Sequence, residues 1–292
     1  MRYGTATRAD RRAAFFMLLP FMLFFCAFVL YAILTNLYYS FTNYNFGGAA
    51  RFAGFGNYAR MARDGDFLIS LKNTFVYAFF SVAFLTAFGL AAAVATNGAA
   101  RALKAARALM VIPYATSAVA AALVWLLLFD PGLGAVNKLL AFFGARPGWL
   151  YDAGLALPTL VIMNVWKNTG YVAVIFLAGL QTVPGELYEA AVIDGANAWR
   201  RFISVTLPQL APVTLFVLIT CCVEAFKTFE QVKLMTKGGP MLRTSTVVYQ
   251  IYIRAFEDFQ MGYAAAQSVA LLAVVLLVTM VNLKFFTGRG RG

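Results

Sequence analysis

The 292-residue chain has no histidine and only three cysteines. The first absence removes the commonest general base and the commonest metal ligand. Cys26, Cys221 and Cys222 all lie inside apolar runs, which argues against a disulfide framework or a zinc site. Charge is scarce: 12% of residues are charged against 62% hydrophobic, too few to solubilise so much apolar surface. No G-x-x-x-x-G-K-[ST] phosphate loop is present, so this chain is not expected to handle ATP. Gly54-x-Gly56-x-x-Ala59 imitates a dinucleotide fingerprint but has no βαβ context. No HExxH motif and no convincing nucleophile–base pair is visible, so an enzyme would lack its machinery. Internal repeats and low-complexity tracts are absent as well.

What the chain does have is long apolar runs of about 20 residues, the length that crosses a bilayer. Aromatic residues reach 16%, led by 28 Phe, which suits lipid-facing helices. The expected fold is all-α and polytopic, with roughly six spans near 14–36, 71–95, 106–129, 157–180, 205–228 and 262–286. The first run is too long for a signal-peptide core. Tyr38-Tyr39-Ser40-Phe41 also follows it, where a cleavage site needs small residues. The organisation is a cytoplasmic segment 1–13, a membrane domain 14–286 and a cytoplasmic tail 287–292.

The net charge of +12 would suggest nucleic acid in a soluble protein. Here the basic residues flank apolar runs, where they set orientation and meet anionic headgroups, so no nucleic-acid partner is expected. Arg2, Arg8, Arg11 and Arg12 precede the first span, Arg101, Lys104 and Arg107 follow the second, and Lys284, Arg289 and Arg291 end the chain. This places both termini and the loops 96–105 and 181–204 in the cytoplasm. The longer loops 37–70, 130–156 and 229–261 fall outside, where basic residues are mixed with acids. Within the last of these, Val248, Ile251, Tyr252, Ala255 and Phe256 are at helical spacing. A helix on the membrane surface or against a partner fits, and so does a short packed loop helix.

The segment 181–208 reads as two short helices joined by a glycine. Pro184 suits the opening of the first, with Glu186 and Glu189 at its positive end, and Gly195 supplies a left-handed stop. The second begins near Asn197, and Pro208 starts the next span. Ala190 and Ala191 leave a close-approach surface, while Glu189 and Asp194 can accept bonds from arginines on a partner. By composition alone this is equally an ordinary connection.

Its spacing decides further. Glu189-Ala190-Ala191, three residues, Gly195, nine residues, Val205, one residue, then Leu207-Pro208 resembles the cytoplasmic signature of binding-protein-dependent ABC importer permeases, with Val205 where Ile is usual. The likeness spans nearly the whole chain. The 11–20 opening, Phe55-Gly56-Asn57-Tyr58, Pro113-Tyr114, Asn164-Val165-Trp166-Lys167-Asn168 and Thr236-Lys237-Gly238-Gly239-Pro240 resemble the carbohydrate-uptake branch, specifically the first permease of maltose- and glycerol-3-phosphate-type pairs. The Gly-Gly-Pro loop separates this partner from its companion.

The resemblance implies a type I ABC importer permease fold, alternating access, and an inner-membrane location in a bacterium. It also implies a second homologous permease, two ABC ATPase subunits and an extracytoplasmic solute-binding protein as partners. No cofactor would be bound by this chain, and ATP would be hydrolysed by the partner subunits. Glu189, Ala190, Ala191, Asp194 and Gly195 would be the coupling contacts. Gly238, Gly239 and Pro240 would meet the binding protein.

The expected solute pathway rests on polar groups inside spans, where they are costly and face a cavity or a partner helix. Asn164, Lys167, Asn168 and Tyr171 share one face of the fourth span by their spacing. Glu224, Lys227 and Thr228 do so in the fifth. Amides, a phenol and charges suit a polyhydroxylated solute, and two lysines against one acid suit an anionic saccharide or a sugar phosphate. In the maltose-type relative this part of the fourth span lines the sugar site; Asn168 stands where that relative has Gly. Around 221–228 the pattern departs, since Cys221, Ala225, Lys227 and Thr228 replace a mostly Ser/Asn set. The alternatives are that Glu224 and Lys227 form an i,i+3 pair serving packing, or that Lys167 and Lys227 snorkel. A secondary transporter would need a coupling carboxylate, for which Glu224 is the only candidate. A permease for a non-sugar solute such as an amino acid or peptide stays open, because the coupling loop is shared across substrate classes.

Overall fold

A computed structural model describes residues 8–98 and 100–287, with side chains from 13 to 98 and 100 to 284. Helices dominate; among the described residues there is no β-strand, only an isolated antiparallel bridge between Thr42 and Phe52. The chain forms two compact units. One comprises Met1–Ala62 and Ile251–Ala270, the other Arg63–Gln250 and Leu271–Gly292.

Four helices are long and apolar enough to span a bilayer singly: Ala13–Ser40 (α1), Gly65–Thr96 (α2), Ala156–Gln181 (α3) and Met261–Lys284 (α4). They meet the first, second, fourth and sixth expected spans. The third and fifth are not straight rods. Arg101–Ala115 and Ala118–Leu128 meet at 96°, and Ala198–Gln209 and Ala211–Phe226 meet at 66°. Pro113 starts the first break, after which Thr116 and Ser117 turn extended. At the second, Pro212 lacks the N–H that would bond the Pro208 carbonyl, so the helix bends at Leu210.

The first unit is built at the end of α1. The Asn57 side-chain amide donates to the Ser40 and Thr42 carbonyls at 2.9 and 2.8 Å, and the Tyr58 hydroxyl donates to Ser40 Oγ at 2.7 Å. Phe41, Phe55 and Tyr58 cluster beside them, Phe41 and Phe55 edge to face and Tyr58 tilted against both. The Phe55-Gly56-Asn57-Tyr58 motif is therefore a clasp on the span's end. Gly262 fits there because a Cβ would strike the Thr42 carbonyl. Most of α1 is exposed, as a lipid-facing helix is.

In the second unit α3 is central. Asp64 caps α2, accepting from the Asp66 and Phe67 amides at 3.0 and 3.3 Å. Leu85 and Ala93 of α2 then pack on Val172, Phe176, Leu177 and Leu180 of α3, with Leu210, Val217 and Cys221 completing a buried cluster. Hydrophobicity alone does not hold helices together in lipid; close backbone approach does. Three glycines provide it. Gly89 receives Val172, Gly170 receives the Met110 carbonyl, and Gly179 receives Leu210 and Val213. The far end of α2 is clasped by Arg107, whose guanidinium donates to the Thr96 carbonyl at 2.9 Å and to that of Gly98.

The connection 229–247 is strapped to α2 by hydrogen bonds. Asn73 donates to the Leu242 and Ser245 carbonyls at 2.7 and 3.0 Å, Ser70 meets Ser245 Oγ at 2.9 Å, and the Val247 amide donates to Thr74 at 3.0 Å. In the following segment Ala255 is buried and Val248, Ile251 and Tyr252 are half-buried. The helix Val247–Tyr252 buries Val247, Tyr249 and Gln250, while Phe256 is 60% exposed. Gln250 donates to Ser245 Oγ at 3.0 Å. The polar anchors set the rotation of this helix, which packs as a loop helix.

Candidate functional site

A cavity of about 640 Å³ opens beside α3, and all seven expected pathway residues line it. One turn apart on α3 are Asn164, Lys167, Asn168 and Tyr171. The Asn168 amide donates to Asn164 Oδ1 at 2.8 Å and to its carbonyl at 3.0 Å, which fixes both side chains along the wall. Tyr171 stacks on Tyr114 at 4.4 Å between ring centroids. Lys167 reaches across to the broken third span, where its ammonium donates to the carbonyls of Pro113, Tyr114 and Thr116 at 3.3, 3.0 and 2.7 Å.

Helix Ala211–Phe226 carries the opposite wall. Glu224 and Lys227 pair at 2.8 Å, both largely exposed to the cavity, so the i,i+3 ion pair and the cavity position are both real. Thr228 is more deeply placed. Its hydroxyl belongs to a buried group with Tyr77 and Gln231; Gln231 donates to Thr228 Oγ1 at 2.7 Å and to the Tyr77 hydroxyl. Thr228 Oγ1 to Tyr77 is 3.5 Å, and the Thr228 carbonyl accepts from Thr246 at 3.2 Å.

Four polar lining residues escaped the sequence reading: Tyr114, Thr220, Glu230 and Gln231. Thr220 is one turn before Glu224 and was findable by that spacing. Glu230 and Gln231 follow the helix end, where sequence gives no sign that the chain folds back. Glu230 matters electrostatically, because the cavity then holds two lysines and two carboxylates rather than two against one. Lys227 already faces Glu224. Among the described residues, Lys167 makes no ion pair, in contrast to Lys227.

The 181–208 segment forms two helices about Gly195 as expected, but the second runs through Pro208 to Gln209, so the next helix starts after Leu210 and not at Pro208. A helix Gly185–Ile193 follows Pro184, and Gly195 takes φ +73° with the Ala196 amide bonded to the Ala191 carbonyl at 2.9 Å. Asn197 then caps the next helix through the Arg200 amide at 2.8 Å. Glu189, Ala190, Asp194 and Gly195 are exposed and Ala191 half-buried. Around them stand apolar side chains that spacing did not single out: Ile193 is 86% exposed and Trp199 69%. In the 229–247 connection the Gly-Gly-Pro run is less open. Gly238 is buried at φ +77°, and a Cβ there would strike the Tyr249 ring. Gly239 and Pro240 are half-buried, and Lys237, Met241 and Arg243 are the exposed residues beside them.

Comparison with known proteins follows the same line. The family model for "Binding-protein-dependent transport system inner membrane component" matches residues 86–287. The chain is 34% identical over 271 residues to the sn-glycerol-3-phosphate transport system permease protein UgpA of Pectobacterium atrosepticum, covering 92% of each. It is 33% identical to the UgpA of Yersinia pestis, covering 93% and 92%. A solved structure of a bacterial ABC transporter involved in import of the acidic polysaccharide alginate superposes with TM-score 0.83 over 96% of both chains at 22% identity, a likeness of fold.

Proposed function

This chain belongs to the family of inner membrane components of binding-protein-dependent transport systems, and on that footing we propose that its cavity passes a small, hydroxyl-rich, anionic sugar derivative such as a polyol phosphate. The chain is the permease subunit of an ABC importer and not an enzyme; nucleotide hydrolysis belongs to other subunits of such systems. The supporting observation for the solute class is the cavity itself. Asn164, Asn168, Tyr171 and Thr220 present amides and hydroxyls to hydroxyl groups, and Lys167 presents an ammonium that makes no ion pair among the described residues. Relatives that match the chain over nearly all its length include permeases named for sn-glycerol-3-phosphate.

The assembly we infer pairs this chain with a second permease, two ATPase subunits and an extracytoplasmic binding protein. Both termini and the 181–208 segment face the cytoplasm, with Glu189, Ala190, Ala191, Asp194 and Gly195 against the ATPase. The 229–247 connection faces outward, and its Gly238-Gly239-Pro240 turn presents neighbouring side chains to the binding protein. The cavity opens alternately to the two sides.

Reconstitution tests this. The complete complex in proteoliposomes should accumulate sn-glycerol-3-phosphate with ATP, and omission of the ATPase subunits should abolish uptake. Transport of uncharged sugars only, unaffected by Lys167→Gln or Lys227→Gln, would overturn the anionic assignment. Uptake driven by an ion gradient without ATP would overturn the proposal altogether.

A further inference from the structure

We propose that Lys167 is a latch on the elbow of the third span, and that the negative charge of the solute releases it; this rests on the anionic reading of the cavity. The last carbonyls of a helix have no partner within it and carry partial negative charge. Arg101–Ala115 ends inside the spanning region, at a 96° break, with its final carbonyls turned toward α3. The ammonium of Lys167 donates to them and to the Thr116 carbonyl beyond the break, the Pro113 carbonyl accepting from the Thr116 amide and hydroxyl as well. A lysine has three N–H donors, and three carbonyls take them. One side chain therefore ties α3 to both sides of the elbow while also lining the cavity.

Those partners are neutral dipoles. The ammonium–carbonyl bonds are already charge-assisted, but an anionic acceptor adds a full opposite charge, whose attraction to the ammonium grows away from bulk water. A phosphate oxygen arriving in the cavity competes for the same donors, and every bond it takes is removed from the elbow. A hydroxyl of an uncharged sugar has no such advantage. A ligand shifts a conformational equilibrium only through unequal affinity for its two states, and this competition creates the inequality. The elbow then registers the charge of the solute. Lys227, already held by Glu224 at 2.8 Å, has no comparable tie to a helix end.

The test is a distance measured across the break in the assembled complex. Spin labels go at Leu109→Cys and Leu127→Cys, exposed on the two halves, with the three native cysteines replaced. In wild type, sn-glycerol-3-phosphate should shift the distance distribution and glycerol should not. Lys167→Met should show the shifted distribution without solute and no further response, and Lys167→Gln an intermediate one. A resting distribution unchanged in both variants would overturn the latch. So would a phosphate response in Lys167→Met equal to wild type. If wild type neither binds nor transports the ester, the solute reading fails and its half of the inference with it. The mechanical half is then decided by the resting distances of the two variants.

Discussion

Gly195 isolates the effect of a single dihedral. Its φ is +73°, and a Cβ placed there would meet nothing within 4 Å, so crowding plays no part. Left-handed backbone costs an L-residue roughly 1–2 kcal/mol, least for Asn and most for β-branched side chains. Gly195→Asn should retain most solute-stimulated ATPase activity in the assembled complex, whereas Gly195→Val should lose it with weakened ATPase association. Equal activity in the two would separate this turn from coupling. Gly170 is the opposite case, with an ordinary φ and no space. Gly170→Val should lower the thermal midpoint in detergent more than Gly195→Val does, because it drives α3 from the Met110 carbonyl.

At the scale of elements, polar bonds decide how the helices are rotated. Asn73 ties two carbonyls of the 229–247 strap to α2, and nothing apolar replaces it. Asn73→Leu should destabilise the protein by about 1–2 kcal/mol, removing both bonds while the Leu242 carbonyl keeps only the Ser245 amide, and should expose the strap to faster proteolysis. Tyr77→Phe should be milder, about 1 kcal/mol, since Gln231 still donates to Thr228. The same bonds mark the limit of sequence reading. Hydropathy located the four single spanning helices and the two bent pairs, and the fixed spacing after Glu189 located the turn at Gly195. Helical spacing put Asn164, Lys167, Asn168 and Tyr171 on one wall. The elbows at 116–117 and 210 were written in Pro113 and Pro212, yet hydropathy averages across them. The orientation of Val247–Tyr252 depended on partners some 170 positions away, which no local periodicity encodes.

For the molecule as a whole, exposed apolar side chains outside the spans fall in several places, among them Phe142 and Phe143 and the 181–208 segment. Ile193 and Trp199 stand on either side of the Gly195 turn. In a chain that works only within an assembly, such residues are expected at a subunit interface. Ile193→Glu should abolish co-purification of the ATPase subunits while leaving the thermal midpoint of the isolated permease within about 0.5 kcal/mol of wild type. Retained co-purification would move the docking face elsewhere.

The seat of the Met110 carbonyl against Gly170 has one more consequence. There the two helices touch main chain to main chain, with no side chain to act as a spacer. The stacking of Tyr114 on Tyr171 and the Lys167 bonds hold the same half a turn further along. A side chain added at Gly170 would therefore prise apart the whole seam, the cavity wall included.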